Sequence, residues 1–344
     1  MRFNSLHFRK AMSAALFVLL LNVVGTMNAL AQIQIATLQH NDSISVYYGI
    51  NALVSAHTAA ATGDVITLSE GSFNCCNITK AITLRGAGSR VDTVASTVGT
   101  TIPGDFYLQG TDNTVSLTIE GIFFPGTVTY RALNNPRFIR CNFADINYYY
   151  TSGVTMTNAQ FINCLIKDMS YSRANNTTFI NSVIYKANCS HSSSGFGETY
   201  YNSIVRYTST MSNATAYNSI VIAGVTNSMP ASSSTFFNCI GIKAGTDTDI
   251  FQHQLNSTNM LLDTYSDVFD TWTGTFSYEE DFILNDSIAS SFLGNDGTQV
   301  GIHGGSVPYD PRPSYMLVKR YNVANKSDHE GKLSVDIELI PTDE

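Results

Sequence analysis

Five ionisable residues in the middle of the chain have types and spacing that could act on a polymer. Count from a recurring bend residue, Arg140 in one unit and Asn163, Asn181 and Asn202 in the next three. Positions four and five further on are then Ala144/Asp145, Lys167/Asp168, Tyr185/Lys186 and Arg206/Tyr207. If the units stack in register, Asp145, Lys167, Asp168, Lys186 and Arg206 form one stripe, with Tyr148 beside it. Two chemistries suit such a stripe. Elimination at a uronate needs a Lys or Arg base and a cation, a side chain or a bound calcium, to neutralise the substrate carboxylate. Lys167, Lys186 and Arg206 are the candidates for that role. Recognition alone needs only hydrogen-bonding groups on a rigid support, with Asp145, Asp168 and an exposed Tyr148 as binding residues. Salt bridging along an outer face is the structural alternative, and the mixed signs favour neutralisation over activation of a base. Metal spacing among Cys and His is absent, so no cofactor is expected outside the calcium of the elimination alternative. Glycoside hydrolysis needs two carboxyls across one bond. The acidic run Glu279-Glu280-Asp281 reads as a solvated loop near the C-terminus.

The elements that must position these residues repeat. Phe161-Ile-Asn-Cys-Leu-Ile166 recurs as Phe179-Ile-Asn-Ser-Val-Ile184, Tyr201-Asn-Ser-Ile-Val205, Tyr217-Asn-Ser-Ile-Val221 and Phe237-Asn-Cys-Ile240. A unit of about 20 residues with this β-branched density reads as a β-solenoid rather than a helical repeat. Asn is the non-glycine residue that best tolerates a left-handed backbone, so each unit is two short strands meeting at one Asn. Between Phe138 and Lys243 there are only three acids and six bases, and Asn, Ser and Thr carry the polarity. Parallel stacking puts like positions roughly 4.8 Å apart, where repeated charges repel and amides and hydroxyls satisfy one another.

These units resemble the coils of right-handed parallel β-helices of the pectin-lyase-like superfamily. The resemblance is clear over 133–243 and extends from about 62 to 305. It implies an all-β parallel β-helix solenoid in which Asn163, Asn181, Asn202, Asn218 and Asn238 stack as a ladder at one bend, hydrogen-bonded coil to coil. The aromatic residues beside them, Tyr201 with Phe179, point into the core. Small residues stack beside the ladder, Cys141, Cys164 and Cys239 interchanging with Ser182, Ser203 and Ser219 as buried thiols. The resemblance is specific for architecture and weak for activity. The calcium motif and Arg signature of pectate lyases are not visible.

Arg2, Arg9 and Lys10 precede the apolar run from Ala11 to Val24, and Ala29-Leu-Ala31 precedes Gln32. That pattern is a secretory signal peptide over 1–31, too short and wrongly flanked for a membrane span. Its removal takes three positive charges from a chain whose formal net charge is −8. So acidic a secreted protein is a poor partner for nucleic acid or anionic lipid. The stripe, with three bases against two acids, is the local exception and suits an acidic polysaccharide. Residues 32–62 are expected to form an N-terminal segment with a short helical cap over the first coil, because a solenoid end otherwise exposes its core. The solenoid is expected over 63–305, with Phe282-Ile-Leu-Asn-Asp286 and Asp296-Gly-Thr-Gln-Val-Gly-Ile302 as its last coils. That ending resembles secreted β-helix proteins of the Bacteroidetes type. Pro308, Pro311 and Pro313 then lead, within 306–344, to a C-terminal hairpin of Tyr315–Tyr321 and Leu333–Leu339. The expected function is a secreted, non-catalytic, surface-associated or carbohydrate-binding protein, with a polysaccharide lyase acting on uronate glycans as the alternative.

Overall fold

The computed structural model describes residues 33–90, 99–109, 116–148, 156–170, 174–188, 197–208, 211, 213–224, 233–243, 250–251 and 258–310, and strands at 317–323 and 335–340. The chain separates into two units, Met1–Ile33 and Gln34–Glu344. The second unit is a parallel β-solenoid of about seven turns. Each turn contributes one strand to each of two 11-stranded sheets. Arg137–Ile139, Gln160–Ile162, Thr177–Ile180, Glu198–Tyr201, Ala214–Tyr217 and Thr235–Phe237 are consecutive parallel strands of the first sheet. Asn142–Tyr148, Leu165–Ser170, Val183–Ala187, Ile204–Tyr207, Ile220–Ala223 and Ile240–Ile242 succeed one another in the second. A third, 3-stranded sheet holds Leu133–Asn134, Met156–Thr157 and Ala174–Asn175.

From Gly121 onward, the junction from a first-sheet strand to its second-sheet partner begins with a left-handed residue. Gly121, Arg140, Asn163, Asn181, Asn202, Asn218 and Asn238 have φ of 64, 52, 54, 47, 47, 50 and 51°. Asn bears this conformation because its short amide bonds locally, and glycine because it has no Cβ. A second left-handed row, Asn135, Asn158 and Asn176 (φ 51, 53 and 57°), stands where the third sheet meets the first. The amide chain expected of the first row belongs to this exposed one. Asn158 Nδ2 donates to Asn135 Oδ1 (3.0 Å) and Asn176 Nδ2 to Asn158 Oδ1 (2.8 Å).

Next to the first row runs a Ser/Cys column. Ser182 Oγ donates to the carbonyls of Ile180 (2.9 Å) and Phe161 (3.1 Å) and accepts from the Cys164 N–H (3.0 Å). Ser219 repeats the pattern, Ser203 Oγ donates to Tyr201 O (2.8 Å) and accepts from the Ser182 N–H (3.2 Å), and the thiols of Cys141, Cys164 and Cys239 make the same two carbonyl contacts at 3.3–3.6 Å. Both residue types are small donors, which is why they interchange. The three thiols are free and buried. Burial pushes Cys239 up to about 12. Cys189 lies outside the described residues.

Inside the solenoid Phe138, Phe161, Phe179 and Tyr200 stack with ring centroids 4.7, 5.1 and 5.0 Å apart. The partner of Phe179 is therefore Tyr200 and not Tyr201, which pairs with Ile180 and is 42% exposed. Alternation explains the correction: the residue two before the bend points in, and Tyr201 is only one before it. Tyr217 and Phe237 occupy that same outward position.

The N-terminal end is more elaborate than a helix alone. Ile35–His40 and Ser43–Tyr48 form an antiparallel hairpin, and Ile35–His40 continues the first sheet antiparallel to Val65–Leu68. The helix Ala52–Ala59 packs on these strands through buried Ala52, Leu53 and Ala56. The C-terminal end also differs from expectation. Solenoid strands stop at Met260–Leu262, and the glycine-rich segment contributes no coil. Residues 265–310 instead return across the molecule. Val268, Phe269, Trp272, Phe282 and Ile302 pack on the outer side chains of the second sheet, among them Ile204, Ile220, Ile222, Ile240 and Ile242. Leu317–Val323 and Val335–Ile340 pair antiparallel as a separate 2-stranded sheet.

Candidate functional site

In the second sheet the in–out alternation breaks at the expected stripe. Ile166 and Met169 both belong to the inner core, as do Phe143 with Ile146 and Ile184 with Ala187. The two residues between each pair are therefore turned outward together: Ala144/Asp145, Lys167/Asp168 and Tyr185/Lys186. The following coil restores alternation, since Val205 and Tyr207 are both core and Arg206 stands alone between them. The register shifts there accordingly. Tyr207, five residues after the bend, is fully buried.

Asp145 and Asp168 are direct neighbours across the sheet, with Thr127 on the far side of Asp145. Thr127 Oγ1 donates to Asp145 Oδ2 (3.2 Å), while Oδ1 is buried without a partner. Burial raises the Asp145 pKa above its ordinary value, the charges of Asp168 and Asp105 add to this, and the Thr127 hydrogen bond opposes it. Lys186 Nζ stands 3.7 Å from Asp168 Oδ2, both side chains part-exposed, so the pair contributes about 0–1 kcal/mol. Lys167 is exposed. Arg206 is drawn under the C-terminal segment. Its guanidinium lies 4.8 Å from the Tyr185 ring centroid and donates to Gly224 O (3.2 Å). Tyr185 in turn donates to Gly274 O (2.9 Å). The stripe is thus two adjacent columns, Asp145/Asp168/Lys186 and Ala144/Lys167/Tyr185, whose cations are unequal: Lys167 faces water, Lys186 leans on a carboxylate, and Arg206 is held by packing. Tyr148 lies in the Asn142–Tyr148 strand opposite Tyr130. Tyr149, Tyr150 and Tyr171 lie outside the described residues.

Two further rows on the same face have no counterpart in the repeat spacing. Tyr107, Thr129, Asn147 and Ser170 are successive register partners, as are Gln109 and Arg131. A groove of about 300 Å³ opens here, lined by Asn77, Tyr107, Leu108, Gln109, Thr129 and Arg131. Tyr107 is 42% exposed. Phe106–Gln109 falls outside the Asn-marked units, so no spacing in the sequence singles it out.

The Asn of the first row meet a different partner from the one expected. Residues 294–310 run back along the bends and take the amides of Asn218, Asn202 and Asn181. Asn218 and Asn295 exchange two hydrogen bonds of 3.0 Å. Asn202 Nδ2 donates to Gln299 O (3.4 Å), and Asn181 Nδ2 to Ile302 O (2.8 Å) and Gly304 O (2.7 Å). Arg140, at the same bend position, donates to Asp310 O (3.2 Å). Gly305 is required in this approach: its φ is +74°, and a Cβ there would lie 2.9 Å from Asn202 Oδ1. The Asn row is therefore a docking strip for the chain's own C-terminal segment. The acidic run is anchored too, with Arg90 donating to Glu280 O (2.8 Å) and approaching Asp281 (3.4 Å). Among the described residues no group of three His, Cys, Asp or Glu could hold a metal, and no helix is long and apolar enough to cross a membrane.

No family model, curated protein or solved structure matches this chain. The class defined by the fold is the parallel β-solenoid.

Proposed function

We propose that this is a secreted, non-catalytic β-helix protein of the pectin-lyase-like superfamily that binds a polysaccharide along the outer face of its second sheet. The observation that carries the reading is the set of parallel outward rows, Thr127/Asp145/Asp168/Lys186 and Tyr107/Thr129/Asn147, beside the groove at Gln109 and Arg131. Rows of hydrogen-bonding side chains repeated roughly every 4.8 Å on rigid strands suit an extended polymer. Lys167 and Arg131 supply the cationic character that an acidic glycan selects. Binding is favoured over elimination because Lys186 and Arg206, two of the three candidate bases, already have partners. The Arg2 to Gln32 pattern supports secretion.

The test is affinity electrophoresis in gels containing pectate, alginate, a glycosaminoglycan or a neutral glucan. An acidic polysaccharide should retard the wild type. Tyr107→Ala and the double variant Lys167→Ala/Lys186→Ala should each lose most of that retardation. Equal retardation of all three proteins would remove the site from this face. Rising absorbance of an unsaturated product on the same substrates would replace binding with the lyase alternative.

A further inference from the structure

Among the described residues the first sheet ends on Ser43–Tyr48, which has a strand on one side only. The direction of its backbone groups is set by its neighbours. Gly49 N–H donates to Gln34 O (2.8 Å), and Ser69 N–H donates to Ile35 O (2.9 Å). Antiparallel pairs alternate between bonded and non-bonded. Ser43, Ser45 and Tyr47 therefore bond inward to Ile35–His40, and the N–H and C=O of Ile44, Val46 and Tyr48 point to the open edge. The same three side chains face away from the core, on which Tyr47 packs. Ile44 is 69%, Val46 44%, Tyr48 67% and nearby Ile50 49% exposed. An uncovered edge is ordinarily protected by a Lys, a Pro or a bulge. Ser43–Tyr48 has none of these, and no charged residue occurs from 43 to 63 other than the imidazole of His57.

We propose that this edge is a dimerisation site for a second copy of the chain, added antiparallel about a twofold axis through Val46. The residues that bond outward all share one parity, so they must meet residues of that parity. A register centred on Val46 uses all three, setting Val46 opposite its own copy and Ile44 opposite Tyr48 on both sides of the axis. Six backbone hydrogen bonds form, and the two first sheets become one. Ile44, Val46 and Tyr48 of both copies share one outer face and cover each other's apolar surface. The two Asp42 residues stay apart: each falls opposite Ile50, roughly 27 Å from its counterpart. A second copy supplies a strand whose outward backbone groups and apolar side chains match this edge in that register. A six-residue pairing is small beside a permanent interface, so the dimer is reversible.

Sedimentation velocity on protein recovered with its own N-terminal sequence, so that any processing has occurred, should show a twofold rise in mass across the micromolar range. Val46→Lys puts two ammonium groups on the axis and should hold the protein monomeric at every concentration, with its melting curve unchanged. The register has an independent test in a Cys75→Ser/Cys76→Ser background. Val46→Cys should cross-link on mild oxidation, because opposed bonded residues have Cα atoms about 5.5 Å apart, within disulfide reach. Ile44→Cys should not, since its copies lie roughly 14 Å apart. A single mass at all concentrations, a doubling that survives Val46→Lys, or cross-linking through Ile44→Cys would overturn the proposal.

Discussion

At the residue scale, one side-chain type performs two different tasks at positions that look alike in sequence. Asn158 and Asn176 stand on an exposed row and bond to the next coil. Asn181 is buried and bonds to carbonyls more than a hundred residues away. Both need the left-handed backbone, but only Asn181 leaves buried carbonyls orphaned when it is lost. Asn181→Ala should cost about 3 kcal/mol in urea unfolding, from two forfeited hydrogen bonds and a left-handed Cβ. Asn181→Gly, which relieves only the backbone, should recover about 1 kcal/mol of it. Asp145 presents the opposite case, a group that weakens the fold. Its folded pKa is raised by burial first and by neighbouring acids second. The native state then holds a proton more readily than the unfolded chain, so ionised Asp145 costs stability at neutral pH. That cost disappears as pH falls through the raised value. Asp145→Asn should therefore raise the melting temperature at pH 7. The gap between variant and wild type should close as pH approaches the ordinary carboxyl value of 3.8.

At the scale of elements, the helix Ala52–Ala59 shows how a short segment of weak amphipathicity is held. Lys80 Nζ donates to the carbonyls of His57 (2.7 Å), Thr58 (3.0 Å) and Ala60 (2.6 Å), the unpaired end of the helix. A cation there satisfies both the orphan carbonyls and the helix dipole. Lys80→Met, which keeps the stem and removes the charge, should lower stability by about 1–2 kcal/mol in denaturant titration. The returning segment 265–310 is organised around the single Trp. Trp272 is 2% exposed, meets Tyr265, Phe269 and Phe282 edge-on, and donates to Thr275 O (2.7 Å). Trp272→Phe retains the ring contacts and loses that bond, whereas Trp272→Ala leaves a cavity. The Ala variant should cost about 3–5 kcal/mol and the Phe variant clearly less, measured by far-ultraviolet circular dichroism in urea.

At the scale of the whole molecule, the returning segment alters what kind of solenoid this is. A plain solenoid is a one-dimensional stack in which each turn feels only its neighbours. Here residues 294–310 touch the bends at Asn218, Asn202, Asn181 and Arg140 in succession, and Asn142 Nδ2 donates to Ser89 O (3.1 Å) across early coils. Turns that are distant along the stack thereby share one tether, which favours a single cooperative transition. The tether runs along the side of the stack, on the bends and the outer face of the second sheet, and among the described residues it does not reach the edge at Ser43–Tyr48.

The architecture was legible in the sequence because a β-solenoid repeats a local constraint. The left-handed bends carry Asn or Gly at every coil from Gly121 to Asn238 except at Arg140, each small inward niche takes Ser or Cys, and spacing alone lines up Asp145 with Asp168. Such requirements act within a few residues or between adjacent coils, so they recur at a fixed period. What each row faces is a different kind of question. That the amides of Asn181, Asn202 and Asn218 turn to residues 294–310, that Arg206 is packed against Tyr185, and that Tyr107 joins Thr129 and Asn147 depend on contacts between segments with no common period. The one-residue error at Tyr201 has the same root. An aromatic one place before the bend and another two places before it read alike as letters, and only the register of the assembled sheet sends the first to solvent and the second to the core. Local backbone chemistry determined the coil; the long-range return of the chain over its own outer surface decided which of its faces remained open.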